Sequence, residues 1–242
     1  MEKENLYALA PDGKGKQIKS TASNAAHCLG AGIVDHETAV KIGDRVMQAD
    51  MFSGWGMRTL SARHPAYDPY SYHRGSVWPV EQGALAIGLW RYNRIEQLWR
   101  VSRAQFELAE IFECCRLPEV LSGHQRDELH PFPALYPKDN SPQAWSASAV
   151  FAILSSIMGL FPWAPFGVLM IGPQLPPWLS ELRVRNLKIG DAVIAMRFSR
   201  DADGKSNYEL LDLEGELKII RHPDAWSLLK EPGAKVKEML SN

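Results

Sequence analysis

The sequence predicts a helical region of about 140 residues followed by a small antiparallel β-module. In the first region, apolar residues recur at helical spacing between capping residues, from Thr21 to Leu160. After Pro165 the chain breaks into short runs rich in β-branched and aromatic residues, separated by turns that contain glycine. The predicted domains are an entry loop (1–20), a helical domain (21–165) and a β-rich module (166–242).

The first two helices are predicted from their caps. Ser23 or Asn24 can cap a short apolar helix that runs through Ile33. Asp35 can cap a second helix, which carries its apolar residues on one face and its charged residues on the other.

Three further helices complete the region. Pro79 suits a first-turn position, so a helix is expected from there to Tyr92, and its small residues indicate close packing against a neighbour. Residues 94–115 form a longer amphipathic pattern. Ser141-Pro142 is a start signal for the last helix, which is apolar nearly all round and is therefore expected to be central.

The β-module follows from turn chemistry. Asp203-Gly204 and Glu214-Gly215 are hairpin signals, which predict antiparallel pairing. The predicted strand runs are 168–171, 182–187, 192–198, 208–213 and 217–221.

Composition excludes several classes of partner. The net charge of −1 argues against nucleic acid or an anionic membrane as the main partner, since both demand a basic surface. The uncharged stretch 141–180 is interrupted by prolines, and its apolar helical part is shorter than the about 20 residues that a membrane span needs. Cys28, Cys114 and Cys115 have no metal-ligand spacing and are typical of reduced thiols in a cytoplasmic protein.

Two loop segments combine rings, cations and glycines. They are Gly54-Trp55-Gly56-Met57-Arg58-Thr59-Leu60 and Ser71-Tyr72-His73-Arg74-Gly75-Ser76-Val77-Trp78-Pro79. Flat apolar faces beside hydrogen-bond donors suit a sugar, which has an apolar C–H face and a rim of hydroxyls. Core packing is the alternative for each tryptophan.

A candidate general base lies in the segment that begins at Leu117. Glu119 follows Pro118 in a mainly apolar sequence, where burial would raise its pKa toward that of a useful base. The alternative is a glutamate that pairs with an arginine or caps a turn. Glu81 competes, but it lies in a first helical turn, where the helix dipole favours negative charge.

Other chemistries have little support. His27-Cys28 invites a Cys/His hydrolase interpretation, but a packed core pair is the simpler one. No HExxH, CxxC, Walker A or GxGxxG pattern occurs, so neither a metal nor a nucleotide cofactor is predicted.

Five pieces together resemble the C-terminal half of the catalytic domain of bacterial glycogen-debranching amylo-α-1,6-glucosidases. They span about residues 5–165 in the family's order. The pieces are Ser23-Asn24 with His27, the segment 52–61, Tyr67-Asp68-Pro69 with 71–79, Leu117-Pro118-Glu119, and Tyr136-Pro137 with Ser141-Pro142-Gln143-Ala144-Trp145.

The resemblance implies part of an (α/α)6 toroid, about half of its helices, around a sugar-binding cavity. It also implies inverting glycoside hydrolysis by two carboxylates, with Glu119 as the general base. The α-glucan or oligosaccharide substrate would then contact the residues at the family's cavity positions. These are Trp55, Arg58, Tyr72, His73, Arg74, Trp78, Gln143 and Trp145. Glu119 and the indoles of Trp55 and Trp78 are expected to line one hollow.

The sequence departs from the family at its beginning. The family's general acid is an aspartate in the half of the toroid that precedes this sequence, and no aspartate in residues 1–50 carries the expected motif. The chain alone is therefore expected to be weak or inactive, and to associate with an N-terminal half or with itself. Two alternatives remain: a non-catalytic oligosaccharide-binding or subunit-interaction module, and a trehalase-like or mannosidase-like hydrolase on the same fold.

Overall fold

The computed structural model describes residues 1–222, and the chain divides into two compact units, Met1–Ile153 and a second that begins at Leu154. The described part of the chain is mixed rather than mainly α, because long loops separate the helices and strands fill the second unit. Its helices and strands are β1 (Ala10–Pro11), β2 (Gln17–Ile18), α1 (Asn24–Ala31), α2 (His36–Val46), α3 (Pro79–Arg91), α4 (Ile95–Ala109), α5 (Ala144–Met158), β3 (Leu160–Trp163), β4 (Val168–Ile171), β5 (Glu181–Ile189), β6 (Ala192–Arg200), β7 (Ser206–Glu214) and β8 (Lys218–Arg221).

The first three helices begin where predicted, but the predicted cap and end of α1 are wrong. Helix α1 begins after Ser23, whose side chain makes no capping hydrogen bond, and it ends at Ala31 rather than at Ile33, because Gly32 with a φ of 69° takes the left-handed turn that closes the helix. Helix α2 begins after Asp35, whose side chain accepts a hydrogen bond from the Thr38 N–H. Helix α3 begins at Pro79, also as predicted.

The bounds of α4 and α5 also differ from the prediction. Helix α4 ends at Ala109, well before residue 115, because the chain turns into a 3₁₀ segment in which Cys114 has a left-handed conformation. Helix α5 begins at Ala144 rather than at Pro142. The Gln143 N–H donates to the Leu117 carbonyl, which ties this residue to the preceding loop and delays the helix.

The small residues of α3 allow close helix packing, as predicted. A Cβ on Gly88 would lie 2.5 Å from Leu29 Cβ of α1, and a Cβ on Gly83 would lie 2.8 Å from Ala149 Cα of α5. Neither distance is possible between real atoms, so α3 contacts both neighbours at backbone range.

Helix α5 is less central than its composition predicts. Ala149 and Ile153 are buried, whereas Phe151 is 70% exposed and Trp145 is 42% exposed. No helix among residues 1–222 is both long enough and apolar enough to cross a membrane.

The second unit holds two three-stranded sheets. Strands β5, β6 and β7 form an antiparallel sheet, with Asp203-Gly204 in the connection between β6 and β7 as predicted. The other sheet has the order β3-β4-β8, and β4 pairs with β8 in parallel. The prediction of a purely antiparallel module is therefore wrong. Glu214-Gly215 is not a hairpin turn, because β8 does not pair with β7 but with β4 in the other sheet. Residues 223–242 of the predicted module lie outside the described residues.

Candidate active site

Isolated backbone bridges align the loops of the first unit. Besides the local bridge between Phe52 and Met57, four bridges join segments that are distant in sequence, and together they bring the loop after α4 beside the loop before α3. Val77 and Leu121 exchange both backbone hydrogen bonds, at 2.9 and 2.8 Å. The bridged pairs are Ala22 with Leu60, Arg58 with Val77, Val77 with Leu121, and Leu121 with Leu135.

These bridges place Glu119 among hydrogen-bond donors. Its side chain is 6% exposed. The Tyr72 hydroxyl donates to Glu119 Oε1 at 2.6 Å. Asn140 donates to Oε2 from its backbone N–H at 3.2 Å and from Nδ2 at 2.9 Å. Ser146 of α5 donates to the Pro118 carbonyl, which fixes the loop next to the carboxylate.

The donors decide the charge of Glu119. The hydrogen bond from Tyr72 lowers the pKa of Glu119, and burial acts in the opposite direction without prevailing, because Asn140 adds two further donors. The same hydrogen bond raises the pKa of Tyr72 to about 12. The sequence-based expectation of a raised pKa for Glu119 is therefore wrong, and the carboxylate is ionised at neutral pH.

Tyr72, the hydrogen-bond partner of Glu119, belongs to an aromatic cluster that consists of Tyr72, His73, Trp78, Tyr136 and Trp145. Trp78 lies at its centre, with ring centroids 4.6 Å from Tyr72, 5.7 Å from His73 and 5.5 Å from Trp145. Tyr136 lies 5.7 Å from Tyr72. Trp78 is only 5% exposed, and His73 stacks parallel to its indole, so the rings that reach solvent are those of His73 and Trp145.

Trp55 and Arg58 lie apart from this cluster in their contacts. Trp55 is 2% exposed and packs in a hydrophobic core cluster with Val77 and Leu108, with the Arg126 guanidinium 4.1 Å from its ring centroid. Arg58 is buried, and three of its nitrogens donate to protein oxygens, among them the Gly123 carbonyl. The side chains of Trp55 and Arg58 therefore support the loops. Trp55 and Trp78, the two indoles that were expected to line the hollow, are both buried and present no open face. Sugar contact by these residues stays a prediction.

Arg74 and Gln143 occupy peripheral positions. Arg74 is exposed, and its Nε donates to Ser71 Oγ at 3.1 Å. Gln143 Oε1 accepts a hydrogen bond from the Ala144 N–H. The side chain of Gln143 lines an apolar cavity of about 510 Å³, together with Leu117 and Phe151.

Sequence reasoning missed several positioning residues. Gln82 bonds both the N–H and the carbonyl of Met57, and Gln105 donates to the Trp55 carbonyl. Asn140 was missed although it directly precedes the Ser141-Pro142 motif. The only signal for Asn140 in the sequence was its place as a polar residue between the two parts of the fifth motif piece, Tyr136-Pro137 and Ser141–Trp145.

The other candidate groups, His27-Cys28 and Glu81, do not form a second catalytic site in the described residues. His27 is exposed and its Nε2 lies 2.9 Å from Glu81 Oε2, so His27 is an ion-pair partner on the surface and not part of a packed pair with Cys28. Within residues 1–222, no three His, Cys, Asp or Glu side chains come together as a metal site.

Residues 2–114 match the family model of the mannosylglycerate hydrolase MGH1-like glycoside hydrolase domain. The matched segment is thus similar to a glycoside hydrolase domain, and glycosidase is the class of protein that the match supports. The matched segment, residues 2–114, includes both ring-rich loop segments but ends before Glu119. No curated protein matches the chain.

Solved structures show a related fold. One is an uncharacterized conserved protein from Thermus thermophilus, with 17% identity and a TM-score of 0.53 over 64% of this chain and 35% of that chain. Another is a GH63 mannosylglycerate hydrolase from the same organism in complex with glucose, with 19% identity and a TM-score of 0.48 over 59% and 33% of the two chains. The chain thus spans about a third of the length of the structures it matches. The toroid stays a prediction.

Proposed function

We propose that this chain is part of an inverting glycoside hydrolase in which Glu119 is the general base. The observation that carries the proposal is the hydrogen bond between Glu119 and Tyr72 at the edge of the aromatic cluster. A buried carboxylate beside rings of this kind combines a proton acceptor with a sugar platform. The glycoside hydrolase family match supports the same class of reaction.

The charge of Glu119 suits this role. In inverting hydrolysis the base takes a proton from water as that water attacks the anomeric carbon, and a second carboxyl group protonates the leaving oxygen. A base must be ionised before the reaction, and the lowered pKa of Glu119 meets this condition at neutral pH.

The sugar would contact the solvent-facing part of the aromatic cluster. His73 and Trp145 are exposed and Tyr72 is half-buried, so their rings are available to the C–H face of a pyranose. Trp78 would act beneath them as a support, because its Nε1 donates to the Tyr72 carbonyl and to Ser76 Oγ. The exposed Arg74 would supply donors for hydroxyl groups.

Two substrate classes are supported by different observations. The motif pieces around residues 52–79 and Glu119 resemble debranching enzymes, which favours an α-1,6-linked glucan. The family match favours a mannoside, since that family is described as mannosylglycerate hydrolase-like. Both are hexosides, and the general chemistry of Glu119 is the same for either.

We further propose that the general acid comes from outside the described residues, on an N-terminal half or a partner chain. The 70% exposed Phe151 on α5 supports an association through this helix, because a large apolar residue exposed to this extent favours burial against another surface. Self-association is the alternative. A non-catalytic oligosaccharide-binding module is the remaining candidate function.

Glycosyl fluorides test the base without the acid. Fluoride leaves as an anion and needs little protonation, so α-D-glucosyl fluoride and α-D-mannosyl fluoride report on water activation alone. We expect slow fluoride release by the purified chain, and a loss of about 10²-fold or more in the Glu119→Gln variant. Glu128→Gln, an exposed glutamate in the same unit, is the matched control and should keep full activity.

The comparison of the two fluorides identifies the preferred sugar. Unchanged fluoride release by Glu119→Gln would contradict the base assignment. Oligosaccharide binding by calorimetry, retained in Glu119→Gln with no hydrolysis of either fluoride by the wild-type chain, would favour the binding module. Clear release of glucose from a branched glucan by the purified chain would contradict the proposal that the acid lies elsewhere.

A further inference from the structure

We infer that Asn140 is a positioning residue for Glu119: it occupies carboxylate oxygen Oε2 and leaves Oε1, the oxygen beside the Tyr72 hydroxyl, as the atom that accepts the proton. This inference rests on the proposed function, because it concerns which atom of the base does the work. It assigns a role to a residue that none of the motif pieces contains.

The geometry of Asn140 is a three-point contact. Its backbone N–H and its Nδ2 both donate to Glu119 Oε2, and its carbonyl accepts from the Glu119 N–H at 2.9 Å. Main chain and side chain of Asn140 therefore hold main chain and side chain of Glu119. Such a contact fixes the position of the carboxylate and the direction in which it points.

The fold brings these two residues together across 21 positions of sequence. Leu121 forms a bridge with Leu135, and the Ser122 N–H donates to the Ala134 carbonyl, so the loop folds back on itself between them. The backbone part of the contact is thus maintained by the loop and does not depend on the Asn140 side chain.

Acceptor capacity identifies the free oxygen. An ionised carboxylate offers about four lone-pair sites, roughly two on each oxygen. Asn140 uses both sites of Oε2, and Tyr72 uses one site of Oε1. The remaining site lies on Oε1, so a water that gives up its proton to Glu119 meets this oxygen next to the Tyr72 hydroxyl. That hydroxyl has lone pairs with which it can accept a hydrogen bond from the same water.

Other titratable groups also face this network. Burial raises the pKa of Asp139, and the charge of Glu119 raises it further. Tyr136 and His73 lie against the ring of Tyr72. Asn140 and Tyr72 are donors that favour the ionised form of Glu119, whereas an ionised Asp139 opposes it.

The test is a ¹³C NMR titration of the Glu119 carboxyl carbon in the full chain, with the signal assigned by Glu119→Gln. In Asn140→Ala one donor is lost and the backbone donor remains, so the pKa of Glu119 should rise. In Asn140→Asp a second carboxylate replaces the donor, so the pKa should rise further. In Asp139→Asn it should fall. Asn93→Asp, which adds the same charge at an exposed position after α3, is the control and should leave the pKa unchanged.

The same variants are then compared on the glycosyl fluoride. The acidic limb of the pH profile should move upward in Asn140→Ala by the amount seen in the titration, with circular dichroism unchanged. An unchanged Glu119 pKa in a folded Asn140→Ala variant overturns the inference, and so does a titration shift that the acidic limb does not follow. Absence of any Glu119-dependent fluoride release counts against the proposed function instead, and the titration then still decides whether Asn140 controls the carboxylate.

Discussion

Two helix glycines should respond to the same substitution with opposite sign. Gly88 in α3 and Gly43 in α2 are both buried helix-interior positions, and alanine has a higher helix propensity than glycine by about 1 kcal/mol. Their surroundings differ. A Cβ on Gly43 would meet Arg94 Nε at 3.6 Å, which is an ordinary contact, whereas a Cβ on Gly88 would lie 2.5 Å from Leu29 Cβ and 2.8 Å from the Gly30 nitrogen.

The magnitudes follow from these distances. Overpacking against backbone atoms costs about 3 kcal/mol, the upper end of the usual range. For Gly88→Ala the propensity gain of about 1 kcal/mol leaves a net destabilisation of about 2 kcal/mol. At about 2–4 °C per kcal/mol for a domain of this size, the Tm should fall by about 4–8 °C. For Gly43→Ala the Tm should rise by about 2–4 °C.

Thermal and urea denaturation followed by circular dichroism at 222 nm would measure both variants against wild type. A Gly88→Ala variant as stable as Gly43→Ala would refute the close approach of α1 and α3. That result would also remove the packing reason for the small residues of α3.

Two further predictions concern charge pairs of the first unit. The hydrogen bond to Glu81 raises the pKa of His27, so the pair stabilises the fold below the ordinary pKa of histidine, and this contribution is lost as the pH rises through the raised value. Glu81→Gln should therefore lower the urea midpoint more at pH 5.5 than at pH 9, where only the favourable interaction of Glu81 with the α3 dipole is lost; equal losses at both pH values would exclude the ion pair. Arg45→Met should cost about 3–5 kcal/mol because it leaves Asp50 buried and uncompensated, whereas Arg45→Met combined with Asp50→Leu should regain most of this loss in urea denaturation. A double variant no more stable than the single one would contradict that explanation.

The sequence predicts local features of the fold more reliably than it predicts pairings. The cap at Asp35 and the proline start at Pro79 depend on neighbouring residues, and both lie where expected. The parallel pairing of β4 with β8 depends on segments about 50 residues apart, and turn chemistry carries no information about it. The hairpin prediction at Glu214-Gly215 is wrong for this reason.

The same distinction applies to the candidate site. Residue types alone selected Tyr72, Trp78 and Glu119, which the structure brings together. Residue types could not separate Trp78, which packs on the tyrosine that binds the carboxylate, from Trp55, which lies in the core beneath Arg126. Both stand in loop segments that contain glycines, and only the bridges between distant loops distinguish them.

The sign of the Glu119 pKa limits the role that this residue can have. Burial raises the pKa of Glu119, which is the direction that favours the protonated state required of a general acid. Three donors from Tyr72 and Asn140 reverse this, and a carboxylate ionised at neutral pH cannot donate a proton to a leaving oxygen. In the proposed mechanism Glu119 therefore serves as the base, and the acid would be a group whose surroundings raise its pKa. Asp139 has a raised pKa, but inverting hydrolysis needs the two carboxyls about 6.5–9.5 Å apart on opposite sides of the sugar. Asp139 directly precedes Asn140, the residue that binds Glu119, and in the proposed mechanism the acid comes instead from an N-terminal half or a partner chain.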